Sequence, residues 1–306
     1  MKQILMEGEP MLHAVAVAAL MLTNAHASIL SPDPSRATYS DVKAFMRELV
    51  AKYPGNAELF TLGASDSGEI IEGLKIGRGS IRNLIVATHH GNEYGSTEVA
   101  RGFAASLAAD PIVSQTVFVI PVLNIAGYNR KARWESGAGN TFDPNRNYPG
   151  PCGTEGPFTL KSTAALAAFV EKEQIVSSAT LHTFSPAVVY PWGLSSHDLS
   201  TPYDLQFKAM CDDAVIESHY QTGNSTEVIY AADGTYEDYA FWKHGIWSIL
   251  FEIGHSHSPS ARDVAELVRV NVPGMRRMLE RAPQNRATDH EFHGKCDRFR
   301  ALFDRH

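Results

Sequence analysis

The sequence predicts a single-domain α/β fold, an α/β/α sandwich built on a mixed, mostly parallel central sheet. Three observations predict it. Near-continuous apolar runs, such as residues 84–88 and 116–123, are typical of strands that are covered on both faces. Segments with helical periodicity alternate with these runs. The chain has 306 residues, of which 44% are hydrophobic, and this is enough for one large core.

Local patterns justify each element in order. Ser40 is the expected N-cap of a first helix, because apolar residues recur at helical spacing from Val42 until Pro54-Gly55 ends the pattern. The polar stretch 124–158, rich in Gly, Asn and Pro, is predicted to be a functional loop. The other expected strands are 58–62, 70–76, 84–88, 116–123, 179–182, 188–190, 226–230 and 246–253, and the other expected helices are 96–109, 160–173, 202–220, 236–244 and 261–282.

The N-terminal region of the sequence predicts an exported protein. An apolar stretch at 11–22 is too short to span a bilayer comfortably and precedes Ala25-His26-Ala27, which fits a signal-peptidase site. We therefore expect a signal peptide at 1–27, a linker at 28–38, a catalytic domain at 39–282 and a polar tail at 283–306. The mature protein is expected in the periplasm or outside the cell, without a stable membrane anchor.

Charge and cysteine content narrow the classes of partner. The formal net charge is −7 and no run of Lys or Arg is present, which argues against a general affinity for nucleic acid. Cys152, Cys211 and Cys296 are widely spaced and form no C-x-x-C motif. Export would permit one disulfide and leave one free thiol, with the pairing open.

The strongest functional signal is a candidate metal site at strand ends. His90 and Glu93 form an H-x-x-E pair directly after the predicted strand 84–88, and His182 ends the strand 179–182. Ligands of open α/β sheets gather at the carboxyl ends of strands. Two imidazoles and one carboxylate suit a catalytic zinc ion, which keeps a fourth position for water. The alternative for His182 alone is a hydrogen-bonded core histidine.

Other polar residues fit a hydrolytic site. Glu252 lies in the apolar string Ile249-Leu250-Phe251-Glu252-Ile253, where burial would raise its pKa toward the range of a general base; a buried salt bridge is the alternative. Arg146, beside Asn145, offers a planar fork for a carboxylate, although a solvated arginine in a turn is the commoner use of such a string.

Together these segments resemble the zinc carboxypeptidase (M14 metallopeptidase) family, over about residues 38–282. The resemblance rests on five motifs in the family's order: His90-Gly91-Asn92-Glu93, Asp143-x-Asn145-Arg146-Asn147, His182 followed by Tyr190-Pro191-Trp192-Gly193, Tyr230 at 22 positions before the base, and Phe251-Glu252. It implies one zinc ion per chain, held by His90, Glu93 and His182, with Glu252 as the general base that acts on the zinc-activated water. It also implies that Asn145, Arg146 and Tyr230 hold the terminal carboxylate of a substrate.

The resemblance leaves the oxyanion-stabilising arginine between two candidates. Arg133 lies six positions after Gly127, which is similar to the bacterial murein peptide amidase branch. Arg130-Lys131-Ala132-Arg133 is also similar to the R-K-T-R string of the pancreatic enzymes, which would favour Arg130. We prefer Arg133.

The expected function is hydrolysis of the C-terminal residue of peptides. Glu237 stands fifteen positions before Glu252, where the pancreatic enzymes place a residue at the base of the pocket, so it would favour a basic end; an exposed carboxylate at a helix start is the alternative. Cleavage of a γ-D-glutamyl-diaminopimelate bond in muropeptides is the second enzymatic hypothesis. A non-catalytic zinc or peptidoglycan-binding module is the alternative from another class, and the presence of Glu252 argues against it.

Overall fold

The computed structural model describes residues 30–297, except 138, 154–156 and 198. The signal peptide expected at 1–27 lies outside these residues. The strands are β1 (Ala57–Ala64), β2 (Ile70–Gly77), β3 (Ile81–Ala87), β4 (Gln115–Ile120), β5 (Glu135–Gly137), β6 (Asn140–Phe142), β7 (Ser177–His182), β8 (Ala187–Tyr190), β9 (Gln221–Asn224) and β10 (Trp247–Glu252). The helices are α1 (Tyr39–Lys52), α2 (Tyr94–Ala109), α3 (Ile125–Arg130), α4 (Lys161–Lys172), α5 (Asp204–Ala214), α6 (Ser225–Val228), α7 (Tyr236–His244) and α8 (Ala261–Arg281), with a 3-10 turn at Pro144–Arg146.

One eight-stranded sheet organises the fold, in the order β1-β2-β4-β3-β7-β10-β8-β9. Its centre, β4-β3-β7-β10, is parallel, and antiparallel pairs join β1 to β2, β2 to β4 and β8 to β10. Every residue of β4 and β7 is buried, so both faces of the sheet are covered. These observations confirm the predicted α/β fold with a mixed sheet.

The parallel centre places three strand ends side by side. The chain leaves β3 through α2 to reach β4 on one side, whereas β7 and β10 lie on the other side of β3. This reversal of strand order opens a crevice beyond the carboxyl ends of β3 and β7. The predicted zinc residues follow these two strands.

Three expectations about local structure are wrong. The first helix is capped by Thr38 rather than Ser40, because the Thr38 backbone N–H donates to the Asp41 carboxylate at 2.7 Å. The expected strand 226–230 is instead the short helix α6, because the Asn224 side chain accepts the backbone N–H of Thr226 at 3.0 Å and so starts a helical turn. The helix expected at 202–220 is only Asp204–Ala214.

The described parts of the expected linker and of the expected tail both contact the domain. In the segment expected as a linker, the Ser31 backbone N–H donates to the buried Glu98 carboxylate at 2.9 Å. In the segment expected as a tail, Ala287 is buried, and a disulfide joins Cys152 to Cys296. Cys211 is a buried free thiol. In the part of the chain that the structure describes, no helix is long and apolar enough to cross a bilayer.

Candidate active site

The candidate site lies where β3, β7 and β10 end. His90 and Glu93 follow β3, His182 is the last residue of β7, and Glu252 is the last residue of β10. Glu252 lies directly opposite His182 in the parallel register of β7 and β10. The Ile253 backbone N–H donates to the His182 carbonyl at 2.8 Å, which carries this pairing past the end of β10.

A tight turn after β3 presents the H-x-x-E pair. Thr88 has a φ of 62°, an uncommon conformation for a β-branched residue, and its buried hydroxyl lies 2.6 Å from Thr97 Oγ1 and donates to the Pro121 carbonyl at 3.1 Å. Gly91 follows, and a Cβ there would lie 2.0 Å from the Gly127 carbonyl carbon. Only glycine therefore lets this turn approach α3 so closely.

His90, Glu93 and His182 converge on one point. His90 Nδ1 lies 2.8 Å from Glu93 Oε1 and 3.2 Å from His182 Nδ1, which in turn lies 3.1 Å from Glu93 Oε2. All three side chains are buried. The spacing fits a metal ion, because zinc–ligand bonds of about 2.0–2.1 Å in tetrahedral geometry separate the ligand atoms by about 3.3 Å. Two imidazole nitrogens and one carboxylate are also a donor set that suits catalytic zinc.

Asp143 supports this set from outside and was not assigned a role from the sequence. Its Oδ1 lies 2.9 Å from His90 Nε2, the nitrogen that faces away from Glu93. Its Oδ2 accepts hydrogen bonds from Arg133 Nε at 3.1 Å and Arg133 Nη2 at 2.8 Å. A carboxylate on the remote nitrogen fixes the tautomer and orientation of a ligand histidine. Asp143 therefore orients His90 and Arg133 together.

Glu252 faces the same pocket and is partly accessible to solvent. Burial raises the pKa of Glu252 to about 7; the nearby Glu93 carboxylate adds to this rise, whereas His182 opposes it. Among the described residues, no Lys or Arg lies within ion-pair distance of Glu252, which favours the general base over a buried salt bridge. A carboxylate with a pKa near neutrality suits proton transfer.

The two candidate arginines differ in position. Arg133 lines the pocket, and its Nη1 lies 3.7 Å from Glu93 Oε1. Arg130 is exposed and donates to Ser136 Oγ at 3.3 Å. The loop that carries Arg133 is tied to the metal turn, because the Gly91 backbone N–H donates to the Arg133 carbonyl at 3.3 Å.

Asn145, Arg146 and Tyr230 form a second group along the pocket. The buried Asn145 is oriented by the Tyr236 backbone N–H, which donates to its Oδ1 at 2.9 Å. Arg146 Nη2 donates to the Tyr230 hydroxyl at 3.1 Å, and the Tyr230 side chain is 56% exposed. An amide, a guanidinium and a phenol that line one pocket can all donate to one anionic group.

Glu237 is a buried pocket residue, so the alternative of an exposed helix-start carboxylate is wrong. It is 2% exposed at the start of α7 and lines the pocket. Its carboxylate accepts hydrogen bonds from the Thr180 hydroxyl and, at 3.5 Å, from Asn145 Nδ2. Within the described residues, no Lys or Arg forms an ion pair with it.

Asn124 and His89 also shape the site, and neither was assigned a role from the sequence. Asn124 Nδ2 donates to the carbonyls of His89 at 3.1 Å and Arg133 at 3.2 Å, which holds the two loops together. The His89 ring stacks on His182 with centroids 5.5 Å apart, and its Nε2 lies 3.0 Å from the Tyr148 hydroxyl.

Comparisons with known proteins agree with this geometry. A family profile described as zinc carboxypeptidase matches residues 42–273. Carboxypeptidase B of Astacus astacus is 28% identical over an alignment of 254 residues, and the match covers 68% of this chain and 82% of that protein. Human carboxypeptidase O is 29% identical over an alignment of 155 residues, and the match covers 40% of this chain and 41% of that protein. The crystal structure of carboxypeptidase A from Helicoverpa armigera shares the fold, with a TM-score of 0.73, 17% identity, and coverage of 90% of this chain and 81% of that one.

The matched profile spans most of the chain and includes His90, Glu93 and His182. These residues form a group that can hold the zinc ion on which the family depends. The chain therefore belongs to the zinc carboxypeptidase family and is a metallocarboxypeptidase.

Proposed function

We propose that this metallocarboxypeptidase removes the C-terminal residue of peptides outside the cytoplasm, and that it prefers a basic residue at that end. The observation that carries the preference is Glu237, a buried carboxylate in the pocket. A buried carboxylate is unfavourable unless it is hydrogen-bonded or paired with a cation. Glu237 has hydrogen bonds but no Lys or Arg partner among the described residues. A cationic substrate side chain would therefore supply the ion pair that this carboxylate lacks.

Recognition of the substrate's terminal carboxylate is assigned to Asn145, Arg146 and Tyr230. Asn145 Nδ2 lies 3.5 Å from His182 Nε2, so the group is adjacent to the metal ligands. A free carboxylate that is bound there places only the last peptide bond beside the reacting groups. Exopeptidase activity follows from this spacing. The exposed Tyr230 would close over the bound end through its contact with Arg146.

The proposed chemistry divides the work among three parts of the site. His90, Glu93 and His182 would hold a zinc ion, which would supply Lewis-acid chemistry for activating water and polarising the scissile carbonyl. Glu252 accepts the proton from the attacking water and donates it to the departing amine, for which a pKa near 7 is suitable. Arg133, oriented by Asp143, donates hydrogen bonds to the carbonyl oxygen as negative charge develops there.

Export is supported by the disulfide between Cys152 and Cys296. Disulfides form and persist in oxidising compartments such as the periplasm and the cell exterior. The expected signal peptide at 1–27 agrees with this location.

A substrate panel tests the proposal. Peptides that differ only in a final Lys, Arg, Met, Phe or Glu are compared with the same peptide ending in a Lys amide and with a muropeptide that carries a γ-D-glutamyl-diaminopimelate bond. We expect hydrolysis of the free-acid peptides, fastest for Lys or Arg, and no hydrolysis of the amide or after zinc chelation. Equal cleavage of the amide would refute the exopeptidase assignment. Preferred cleavage of the muropeptide would favour the murein hydrolase hypothesis.

A further inference from the structure

The segment that follows α8, residues 283–297, is anchored to the body of the domain. The Ala287 backbone N–H donates to the Gly245 carbonyl at 2.7 Å, and Arg286 Nε donates to the Ile175 carbonyl at 2.8 Å. His290 Nδ1 lies 2.7 Å from the Trp242 carbonyl oxygen. These contacts bring the segment past the end of α7, which is the helix that carries Glu237.

The same segment then contacts a stretch that we call the pocket wall, residues 190–197. Gly193 of this wall lines the pocket. The Phe292 ring packs edge-on against Trp192, with centroids 5.2 Å apart. The Asp297 carboxylate accepts hydrogen bonds from the Ser196 backbone N–H at 2.9 Å and from Ser196 Oγ at 2.8 Å. The segment also contacts Ser195, which donates to the Lys295 carbonyl, and His197, whose Nδ1 lies 2.7 Å from Asp297 Oδ1, so it supports the wall along its length.

The wall is also held by Asp238, the residue that follows Glu237, and by the segment 225–232. The Gly193 backbone N–H lies 3.0 Å from both carboxyl oxygens of Asp238. The Gly193 carbonyl accepts the Ala232 backbone N–H at 2.6 Å. A Cβ at position 193 would meet Ser225 Cβ at 3.0 Å, so the wall packs closely on α6. Displacement of the wall would change the side of the pocket where Glu237 lies.

The Cys152–Cys296 disulfide joins this arrangement to the loop that binds the terminal carboxylate. Cys152 follows Asn145 and Arg146 along the same loop, and Cys296 is adjacent to Asp297. Tyr148 lies between Arg146 and Cys152 in this loop, and its backbone N–H donates to the Gly234 carbonyl at 3.1 Å. One covalent link therefore connects the loop of Asn145 and Arg146 with the support of the pocket wall.

We propose that residues 283–297, closed by Cys152–Cys296, act as a clasp that positions the pocket wall against the loop of Asn145 and Arg146. Substrate affinity and C-terminal selectivity then depend on the oxidation state of this disulfide. The clasp depends on the proposed function in one respect only, which is the choice of a peptide with a basic C-terminal residue as the substrate. Reduction is the reaction of the disulfide with a phosphine and water, which gives two thiols and the phosphine oxide; Cys296 is exposed to such a reagent.

The expected signature is a change in KM rather than in kcat. Release of the clasp lets the wall and the loop move relative to each other. Substrate binding must then order these two segments, which the intact disulfide holds in place beforehand, and this cost weakens binding. Within the part of the chain that the structure describes, no hydrogen bond or ion pair joins residues 283–297 to His90, Glu93 or Glu252, whose positions depend on strand ends and on Asp143. The reacting groups should therefore keep their geometry once substrate is bound.

The experiment compares oxidised and phosphine-reduced enzyme; a phosphine is used because dithiols bind zinc. We expect reduction to raise KM for the best peptide about tenfold and to lower the Lys-to-Met selectivity, with kcat within about twofold. The double variant Cys152→Ser/Cys296→Ser should show these values without phosphine and should not respond to it. Asp297→Ala should raise KM with the disulfide intact, whereas Glu291→Ala, at an exposed residue of the same segment, should not.

Hydrogen exchange provides a readout that is independent of activity. Amides of residues 190–197 should exchange faster in the reduced protein than in the oxidised protein. Unchanged KM and unchanged exchange after complete reduction would overturn the clasp, as would a fall in kcat at constant KM. Loss of thermal stability alone would show a structural crosslink and would also overturn it. If the oxidised enzyme shows no preference for a basic C-terminal residue, the proposed function is contradicted instead. The changes in KM and in hydrogen exchange on reduction would still test the clasp.

Discussion

The charge of Glu237 should control selectivity for the C-terminal residue, and Glu237→Gln tests this with little change in shape. Glu237 Oε2 lies 3.5 Å from Asn145 Nδ2. A substrate carboxylate that accepts a hydrogen bond of about 2.9 Å from Asn145 therefore lies within about 6.4 Å of the Glu237 carboxylate. At an effective dielectric constant of about 20, two negative charges at that distance repel by about 2.6 kcal/mol, or about 80-fold in an equilibrium constant.

A basic side chain between the two carboxylates removes this repulsion, whereas a neutral side chain does not. Its direct attraction to Glu237 is largely offset by loss of hydration. We therefore expect Glu237→Gln to lower the Lys-to-Met ratio of kcat/KM about 80-fold, mainly because hydrolysis of the Met-ending peptide improves.

The assay measures kcat/KM for two peptides that differ only in a final Lys or Met, because these side chains have similar length. Glu227→Gln is the matched control, since it removes the same charge from an exposed residue outside the pocket. A ratio that stays within twofold of the wild-type value in Glu237→Gln would refute the electrostatic argument. An equal change in Glu227→Gln would show that overall charge, and not the pocket, sets the preference.

Three further predictions follow from the site. Glu252→Gln should lower kcat at least about 1,000-fold with zinc content unchanged, measured by steady-state kinetics and metal analysis, because an amide cannot accept the proton that the Glu252 carboxylate accepts from water; near-normal turnover would exclude Glu252 as the base. Arg133→Ala should lower kcat/KM about 100- to 1,000-fold, whereas Arg130→Ala should stay within about twofold; the reverse order would reassign the oxyanion role. Burial raises the pKa of Asp238 from 3.8 to about 8. Between these values the folded state holds a proton that the unfolded state has released, so the free energy of unfolding should fall by about 1.4 kcal/mol per pH unit as pH rises. Asp238→Asn should lose this slope in denaturation measured from pH 5 to 7.5, and an unchanged slope would contradict the burial argument.

Local patterns in the sequence predicted most elements because they depend on near neighbours. The helix α7 was predicted at its observed bounds, since Thr235 and Gly245 supply a cap at each end. The expected strand 226–230 was wrong because the cap on Asn224 outweighs the β-branched residues that follow it. Inside the predicted loop 124–158, the structure adds α3 and the hairpin β5–β6, which depend on contacts that no periodicity reveals.

The sequence by itself determined the fold class, the family resemblance and the candidate metal ligands. Motif order and strand-end positions are encoded along the chain, so His90, Glu93, His182 and Glu252 could be selected before any distance was known. Only the tertiary structure decided which polar groups meet. Asp143 joins His90 to Arg133, Glu237 is buried beside Asn145, and Cys152 pairs with Cys296 rather than with Cys211. These contacts join residues that are far apart in sequence, and spacing along the chain carries no information about distances that packing of the whole domain sets.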